Sequence, residues 1–313
     1  MVSRFNSVQS VFSQELSILD LTRDQQNTLD WLYQNNLLKN QVVCPKCSLQ
    51  QLHIEKDKTK ADQMRYRCPV KSCRKTVSIR IGSIFEDSKL TLIESTRLIF
   101  HYFLKNITRT QVLKELPLAK NTVTEIYSTI RECISVFIKG EELSYRLGDV
   151  VEDPDDVNLG VEIDESLFSH LEGNQVWVLG LYDRRTQDAR AFVLEDRSAE
   201  ILLPLIQENV VQGARIYTDG WMAYHRLSEL GYDHRVVNHS VGFGEGFFTT
   251  NHVESLWSEL KFLTKQSQGA VIGCGFDKKE GIQHHIDVGI WRRKNKRQNL
   301  VQELCSVINL VYP

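Results

Sequence analysis

The chain contains no run of about 18 apolar residues, the length that reads as a membrane-spanning helix. Its first ten residues, Met1 to Ser10, lack the apolar core of a secretion signal. The expectation is a protein that is neither secreted nor membrane-spanning. An excess of one charge is missing too, since 38 Lys and Arg face 40 Asp and Glu, for a net charge of −2. That balance argues mildly against a polyanionic partner, but the average conceals segregation. Lys46, Lys56, Lys58, Lys60, Arg65, Arg67, Lys71, Arg74, Lys75 and Arg80 crowd one stretch, and Arg292-Arg293-Lys294-Asn295-Lys296-Arg297 form a second basic run. Glu141, Glu142, Asp149, Glu152, Asp153, Asp155 and Asp156 crowd an acidic one. A disulfide framework is also lacking. The 7 cysteines are odd in number, with four in a compact set and Cys133, Cys274 and Cys305 scattered, a metal pattern of a reducing compartment.

What is present is ordinary globular composition, 42% hydrophobic and 25% charged over 313 residues. At roughly 100–200 residues per domain that length predicts two or three units. Residues 1–40 read as a helical arm, with Leu16, Leu19, Leu29, Leu32 and Leu37 near helical spacing. Residues 41–82 read as a zinc ribbon: Cys44-Pro-Lys-Cys47 and Cys68-Pro-Val-Lys-Ser-Cys73 are two knuckles about twenty residues apart, the spacing of a tetrahedral Cys₄ site. Four thiolates complete the shell, so the zinc would be structural and His53 a surface residue. Residues 83–138 read as helical. A short helix from Thr108, a break at Pro117 and a longer helix opening on Lys120, Asn121, Thr122 and Thr124 resemble a helix-turn-helix whose second helix meets DNA, with a plain helical connector as the alternative. Residues 139–158, acidic and poor in apolar side chains, read as a linker.

From 159 to 313 the pattern is α/β. Strands are predicted at 159–164, 176–182, 189–194, 215–218 and 234–237, with helices at 198–209 and 222–230 and a long helix after Thr249. Three meandering strands followed by alternating helix and strand is the element order of a ribonuclease-H-like core, preceded here by the zinc ribbon and the helix-turn-helix-like segment. In that fold the first and fourth strands are neighbours. Asp164 and Asp219 would therefore stand side by side at the carboxyl edge of the sheet.

A third carboxylate, Glu254, falls in the first turn of the long helix, beside the apolar stripe Val253, Leu256, Trp257, Leu260 and Leu263, with Asn251 one turn earlier. Three carboxylates from separate elements suffice for divalent metal of the kind that cleaves phosphodiesters, where two Mg²⁺ ions sit about 3.5–4 Å apart. Each residue alone has a plainer reading, as a turn residue, a strand-end acid or a helix-dipole acid. Glu165 points to the opposite face from Asp164, and Glu162 shares its face but lies further back. Asp183 and Asp233 read as turn residues.

These segments, Val161–Glu165, Tyr217-Thr-Asp-Gly-Trp-Met-Ala-Tyr224, Val237-Asn-His-Ser240 and Thr250-Asn-His-Val-Glu-Ser-Leu-Trp-Ser-Glu-Leu-Lys261, resemble the Merlin superfamily of cut-and-paste DDE transposases and their bacterial insertion-sequence relatives of the ISXO2-like type. The resemblance covers about residues 40–300. It implies a metal-dependent enzyme with Asp164, Asp219 and Glu254 as triad, holding two Mg²⁺ or Mn²⁺, and one structural Zn²⁺ on Cys44, Cys47, Cys68 and Cys73. The implied partners are double-stranded DNA, as terminal inverted repeats and target, and further copies of the chain, as a homodimer or larger synaptic assembly. The implied location is the nucleus of a eukaryotic host or the cytoplasm of a bacterial one. Some relatives carry Asn or His as third residue, which keeps Asn251 and His252 in play, and His239 matches a family position. Trp291-Arg292-Arg293 matches the closing element of the family loosely, with Arg292 and Arg293 as DNA contacts. Two rival readings are a domesticated, non-catalytic DNA-binding protein and a structure-specific nuclease without strand transfer.

Overall fold

The computed structural model describes residues 18, 20–105, 107–150, 156, 159–171, 173–237, 250–271 and 278–313. His239 and Cys274 lie outside them. The described helices are α1 Gln25–Gln34, α2 Leu92–Lys105, α3 Arg109–Glu115, α4 Lys120–Ser144, α5 Ala199–Asn209, α6 Asn251–Val271, α7 Lys278–Lys294 and α8 Leu300–Val311. The strands are β1 His53–Lys56, β2 Met64–Arg67, β3 Thr76–Ser78, β4 Val161–Leu171, β5 Asn174–Asp183, β6 Ala189–Val193, β7 Arg215–Thr218 and β8 Asp233–Val236. They divide into two compact units, one of residues up to Cys133 together with Arg297–Pro313, the other Ile134–Lys296. No described helix is long and apolar enough to cross a membrane.

In the first unit the helices start where the side chains dictate. Asp24 caps α1 by accepting the Asn27 N–H at 2.9 Å. Thr91 and Glu94 form a reciprocal capping pair before α2, and Thr108 and Gln111 do so for α3. β1, β2 and β3 make an antiparallel sheet with Ile54, Tyr66 and Val77 in one cross-strand row, and Tyr66 is buried. The C-terminal α8 packs on α2, and Asn309 Nδ2 donates to the Asn35 carbonyl at 2.9 Å.

The second unit is built on a five-stranded sheet in the order β6-β5-β4-β7-β8. β4, β5 and β6 are antiparallel neighbours, while β7 and β8 run parallel to β4. The first and fourth strands of the sheet are therefore adjacent, as the element order predicted. Alternation along β4 sends Val161, Ile163 and Glu165 to one face and Glu162, Asp164 and Ser166 to the other. The first face carries the core of Ile163, Leu179, Leu181, Leu202, Leu203, Ile206, Ile216 and Tyr224, closed by α5. The second is covered by α6, whose Val253, Leu256, Trp257 and Leu260 are buried.

The edge strand β6 is covered by α7. Gln283 acts there as a surrogate strand: Val193 N–H donates to its Oε1 at 2.8 Å, and its Nε2 donates to the Ala191 carbonyl at 2.9 Å. An unpaired edge is thereby sealed against a second chain.

Three predicted elements differ. The strand expected at 159–164 runs on to Leu171, because pairing with the long β5 continues through Asn174, so Asp164 lies within β4 and not at its end. The helix expected at 222–230 is a single 3-10 turn, Met222–Tyr224, followed by turns. The fully buried Tyr224 and Leu227 pull the segment inward, so its bonds close as i to i−3 rather than as a helical ladder. The linker expected at 139–158 is structured as far as residue 150. α4 runs on through Gly140 to Ser144, Leu147 is buried in the sheet core, and Leu147 and Val150 bridge to Val210 and Ala214. A lone apolar residue with a burial site outweighs the acidic composition around it.

Asp287 of α7 is buried, with Gln283 Nε2 donating to its Oδ1 at 2.7 Å. Burial first, outweighing that bond and the charge of Lys139, pushes its carboxyl up to about 6. Burial, reinforced by the Asp287 charge, pushes Glu142 up to about 7. A raised acid keeps its proton in the folded state after the unfolded chain has lost it, so stability falls as pH rises from about 4 to about 7. Asp287→Asn is expected to flatten that loss, recovering on the order of 3 kcal/mol at pH 8. Denaturant titrations of wild type and variant at pH 5 and 8 measure it, and parallel pH profiles would contradict it.

Candidate active site

Asp164 lies on β4, Asp219 directly follows β7, and Glu254 stands in the first turn of α6. The parallel pairing of Val161 with Ile216 and Glu162 with Tyr217, carried on by two residues, sets Asp164 in the first half of β4 beside Asp219, which follows β7. Burial raises the proton affinity of Asp164, the charges of Asp219 and Glu254 raise it further, and hydrogen bonds from the Trp257 indole and the Glu165 backbone oppose them. The three predicted carboxylates thus share one electrostatic neighbourhood. Their oxygens do not all draw within 4.8 Å of one another, a spacing that among the described residues a cysteine cluster does reach.

Each carboxylate is held by its surroundings. Asp219 Oδ1 accepts the Trp221 backbone N–H at 2.9 Å, an Asx turn that fixes its rotamer where the chain leaves the sheet. Asp164 Oδ2 accepts the Trp257 indole N–H at 2.7 Å. Glu254 Oε1 accepts from the Thr250 hydroxyl at 3.2 Å. Asn251 and His252 are exposed on the same first turn of α6 as Glu254.

The opposite face of β4 behaves as alternation predicted. Glu165 is buried, accepting from the Tyr224 hydroxyl at 2.6 Å and from Arg197 Nη2 at 3.3 Å. The Arg197 guanidinium lies over the rings of Trp177 at 4.1 Å and Trp221 at 4.6 Å. One arginine thereby ties the turn that carries Asp219 to the back of β4.

Sequence reasoning passed over the residues that position the site. Glu162 is fully buried. It accepts Arg184 Nε at 2.8 Å, the backbone N–H groups of His252 at 3.0 Å and Val253 at 3.1 Å, and the His252 ring Nδ1–H at 2.7 Å. The signal was available: a carboxylate between Val161 and Ile163 in a strand interior must find partners. Trp257, read only as part of an apolar stripe, also supplies the Asp164 donor. Lys261 of α6 donates to Ser166 Oγ at 2.7 Å.

Several predicted DNA contacts change meaning. Lys120 and Asn121 are exposed at the start of α4. Thr124 is buried; its hydroxyl donates to the Lys120 carbonyl at 2.9 Å and receives Arg109 Nη1 at 3.0 Å, so it braces α4 against α3 instead of facing a ligand. Thr122 is half-buried beside Ser83–Lys89. Arg293 pairs with Glu259 at 3.1 Å and lies over the Tyr182 ring, and Arg292 is half-buried. Arg293 therefore belongs to packing contacts more than to an open basic surface.

In the first unit Cys44, Cys47, Cys68 and Cys73 place their sulfurs within 4.8 Å of one another. Cys44 to Cys73 and Cys47 to Cys68 are each 3.7 Å. A tetrahedron of about 2.3 Å zinc–sulfur bonds has edges of about 3.8 Å, so the donors fit that ion. Each knuckle ends in a left-handed residue, Ser48 at φ 52° and Arg74 at φ 45°. Burial pushes the Cys44 thiol up, but hydrogen bonds from the Cys47 and Lys46 backbones outweigh it and bring it down to about 6. Burial pushes Cys68 up to about 12.

Residues 160–271, which hold all three carboxylates, match the family model of the ISXO2-like transposase domain. The resemblance to ISXO2-like DDE transposases drawn from the motifs therefore holds over that segment. Among solved structures, the catalytic core domain of BIV integrase is similar at 17% identity and a TM-score of 0.31, over 44% of this chain and 84% of that one. A simian T-cell lymphotropic virus intasome in complex with PP2A regulatory subunit B56 gamma is similar at 13% identity and a TM-score of 0.33, over 64% of this chain and 69% of that one. No curated protein matches the chain.

Gly180 pairs with Asp164 across β5, and a Cβ there would lie 2.3 Å from Trp257 Cη2 and 3.0 Å from Val253 Cγ2. Because the indole is rigid, Gly180→Ala is expected to lift α6 from the sheet and cost about 1–3 kcal/mol. Denaturant unfolding and tryptophan fluorescence measure it. Wild-type stability and spectrum in the variant would show that the helix is not seated on that glycine.

Proposed function

We propose that the protein is a cut-and-paste DNA transposase akin to the Merlin group, cleaving at terminal inverted repeats and joining the freed 3′-hydroxyl to target DNA. The observation that carries this reading is the register that sets Asp164 of β4 beside Asp219 after β7, with Glu254 on the helix packed against β4, all within the segment that matches a transposase domain. Like charges gathered in a partly buried place are costly unless cations repay the cost. Mg²⁺ or Mn²⁺ ions held by these three residues would supply an activated nucleophile and neutralise the leaving oxygen. Asn251 is the auxiliary ligand nearest at hand.

The chain's own residues do the rest. The Asx turn and the Trp257 indole keep Asp219 and Asp164 in fixed rotamers, so little reorganisation is left for the reaction. Lys120 and Asn121, with the basic side chains of the cysteine-bearing ribbon, supply salt-dependent phosphate affinity and end recognition. The ribbon itself holds one structural Zn²⁺. Because two ends are processed together, the working form is a homodimer or larger assembly, in the nucleus of a eukaryotic host or the cytoplasm of a bacterial one.

Two outcomes test the reading. On DNA carrying the flanking inverted repeats, with Mg²⁺ or Mn²⁺, wild type is expected to cut and join. Asp164→Asn and Glu254→Gln should abolish cleavage while leaving end binding within about threefold, and Asn251→Ala should weaken it. Specific binding without cutting by wild type would favour a domesticated DNA-binding protein, and cutting without joining a nuclease. For the ribbon, elemental analysis is expected to find zinc equimolar with the chain, and Cys68→Ser should lose both the zinc and end binding. A metal-free wild type that binds its ends would contradict that.

A further inference from the structure

Glu162 takes no part in the chemistry above, yet it is the most heavily hydrogen-bonded carboxylate beside the site. We propose that Glu162 is a positioning residue: it replaces the local cap of α6 and thereby frees Thr250 to hold Glu254 in place. This inference rests on the transposase reading, because only there does the position of Glu254 matter to activity.

The first N–H groups of a helix have no partner within it, and the preceding Ser, Thr, Asp or Asn normally accepts one of them through its side chain. Thr250 precedes α6 and is buried, and Glu254 N–H donates to its carbonyl at 3.0 Å. Its hydroxyl, however, is turned to Glu254 Oε1 at 3.2 Å. The N–H groups that it would otherwise cap, those of His252 and Val253, go to Glu162 Oε2 at 3.0 and 3.1 Å. A carboxylate from the sheet thus supplies the cap from outside the helix.

The second oxygen of Glu162 locks the arrangement sideways. Oε1 accepts Arg184 Nε at 2.8 Å and His252 Nδ1–H at 2.7 Å, and the imidazole lies flat on Tyr182, 5.1 Å between centroids and 3° between planes. An ionised carboxylate only accepts hydrogen bonds, so this contact fixes the tautomer of His252 with its proton on Nδ1. An arginine partner alone would have satisfied the buried charge. The two backbone bonds go beyond that need, and they meet the residues immediately before Glu254. A negative group at a helix N-terminus is also favoured by the helix dipole. With Glu162 removed, Thr250 is the nearest replacement cap, and turning to that task releases Glu254.

Glu162→Gln alone breaks the buried pair with Arg184 and can simply misfold. The informative variant is Glu162→Met/Arg184→Met, which removes both charges and the oxygen acceptor at similar volume, compared with wild type and Asp164→Asn. Readouts are amide hydrogen exchange at residues 252–254, Mn²⁺ affinity by electron paramagnetic resonance, and binding of DNA ends. In a double variant that melts cooperatively, exchange at His252 and Val253 is expected to quicken at least tenfold. Mn²⁺ should bind about 10–100-fold more weakly, the usual cost of losing a group that orients a metal ligand. DNA end binding should stay at the wild-type level. A folded double variant with wild-type exchange and wild-type Mn²⁺ affinity overturns the proposal. If wild type itself neither binds Mn²⁺ at this site nor cuts DNA, the transposase reading falls, and unchanged exchange in the variant would separately remove the cap.

Discussion

The site depends on one helix keeping step with one strand. Four helical residues advance about 6.0 Å, and two strand residues about 6.6 Å, so a helix laid along a strand meets its outward side chains turn by turn with little accumulated drift. α6 does this on β4. The His252 and Val253 backbone meets Glu162, Trp257 meets Asp164, and Lys261 meets Ser166. Gly180, with no Cβ, makes the space in which Trp257 can lie flat on the sheet. Because Glu254 sits between the first two of these contacts, the register sets where its backbone stands relative to Asp164, and the Thr250 hydroxyl holds its side chain from there.

The same strand sorts its carboxylates by partner. Glu162 and Glu165, the buried acids flanking Asp164 in β4, are each matched with an arginine, Arg184 and Arg197. The ion pairs among the described residues leave out Asp164, Asp219 and Glu254. Among the described residues they are met by neutral donors: the Trp257 indole and Glu165 backbone for Asp164, the Trp221 backbone for Asp219 and the Thr250 hydroxyl for Glu254.

The strands of the α/β unit and the cysteine knuckles were legible because short-range rules govern them. Period-two alternation fixes which face Asp164 and Glu165 take, and knuckle spacing fixes where four sulfurs meet. Asp219 was legible as a strand-end residue, and its turn is made by its own side chain. What escaped was tertiary. The role of Glu162 depends on a helix about ninety residues later that alternation cannot place against it. Thr124 looked like a DNA contact at a helix start until Arg109 took its hydroxyl. The segment after Asp219 has helical composition, but the buried Tyr224 and its bond to Glu165 hold it to one 3-10 turn. The acidic stretch after α4 looked like linker because composition averages away Leu147, the residue that anchors it.

The central claim is that Asp164, Asp219 and Glu254 form one divalent-metal site. The most direct measurement is anomalous scattering from crystals grown with Mn²⁺ and a DNA end. The account predicts manganese peaks bounded by these three carboxylates and a DNA phosphate. Ordered DNA with no manganese there, or manganese bound only elsewhere, would contradict it.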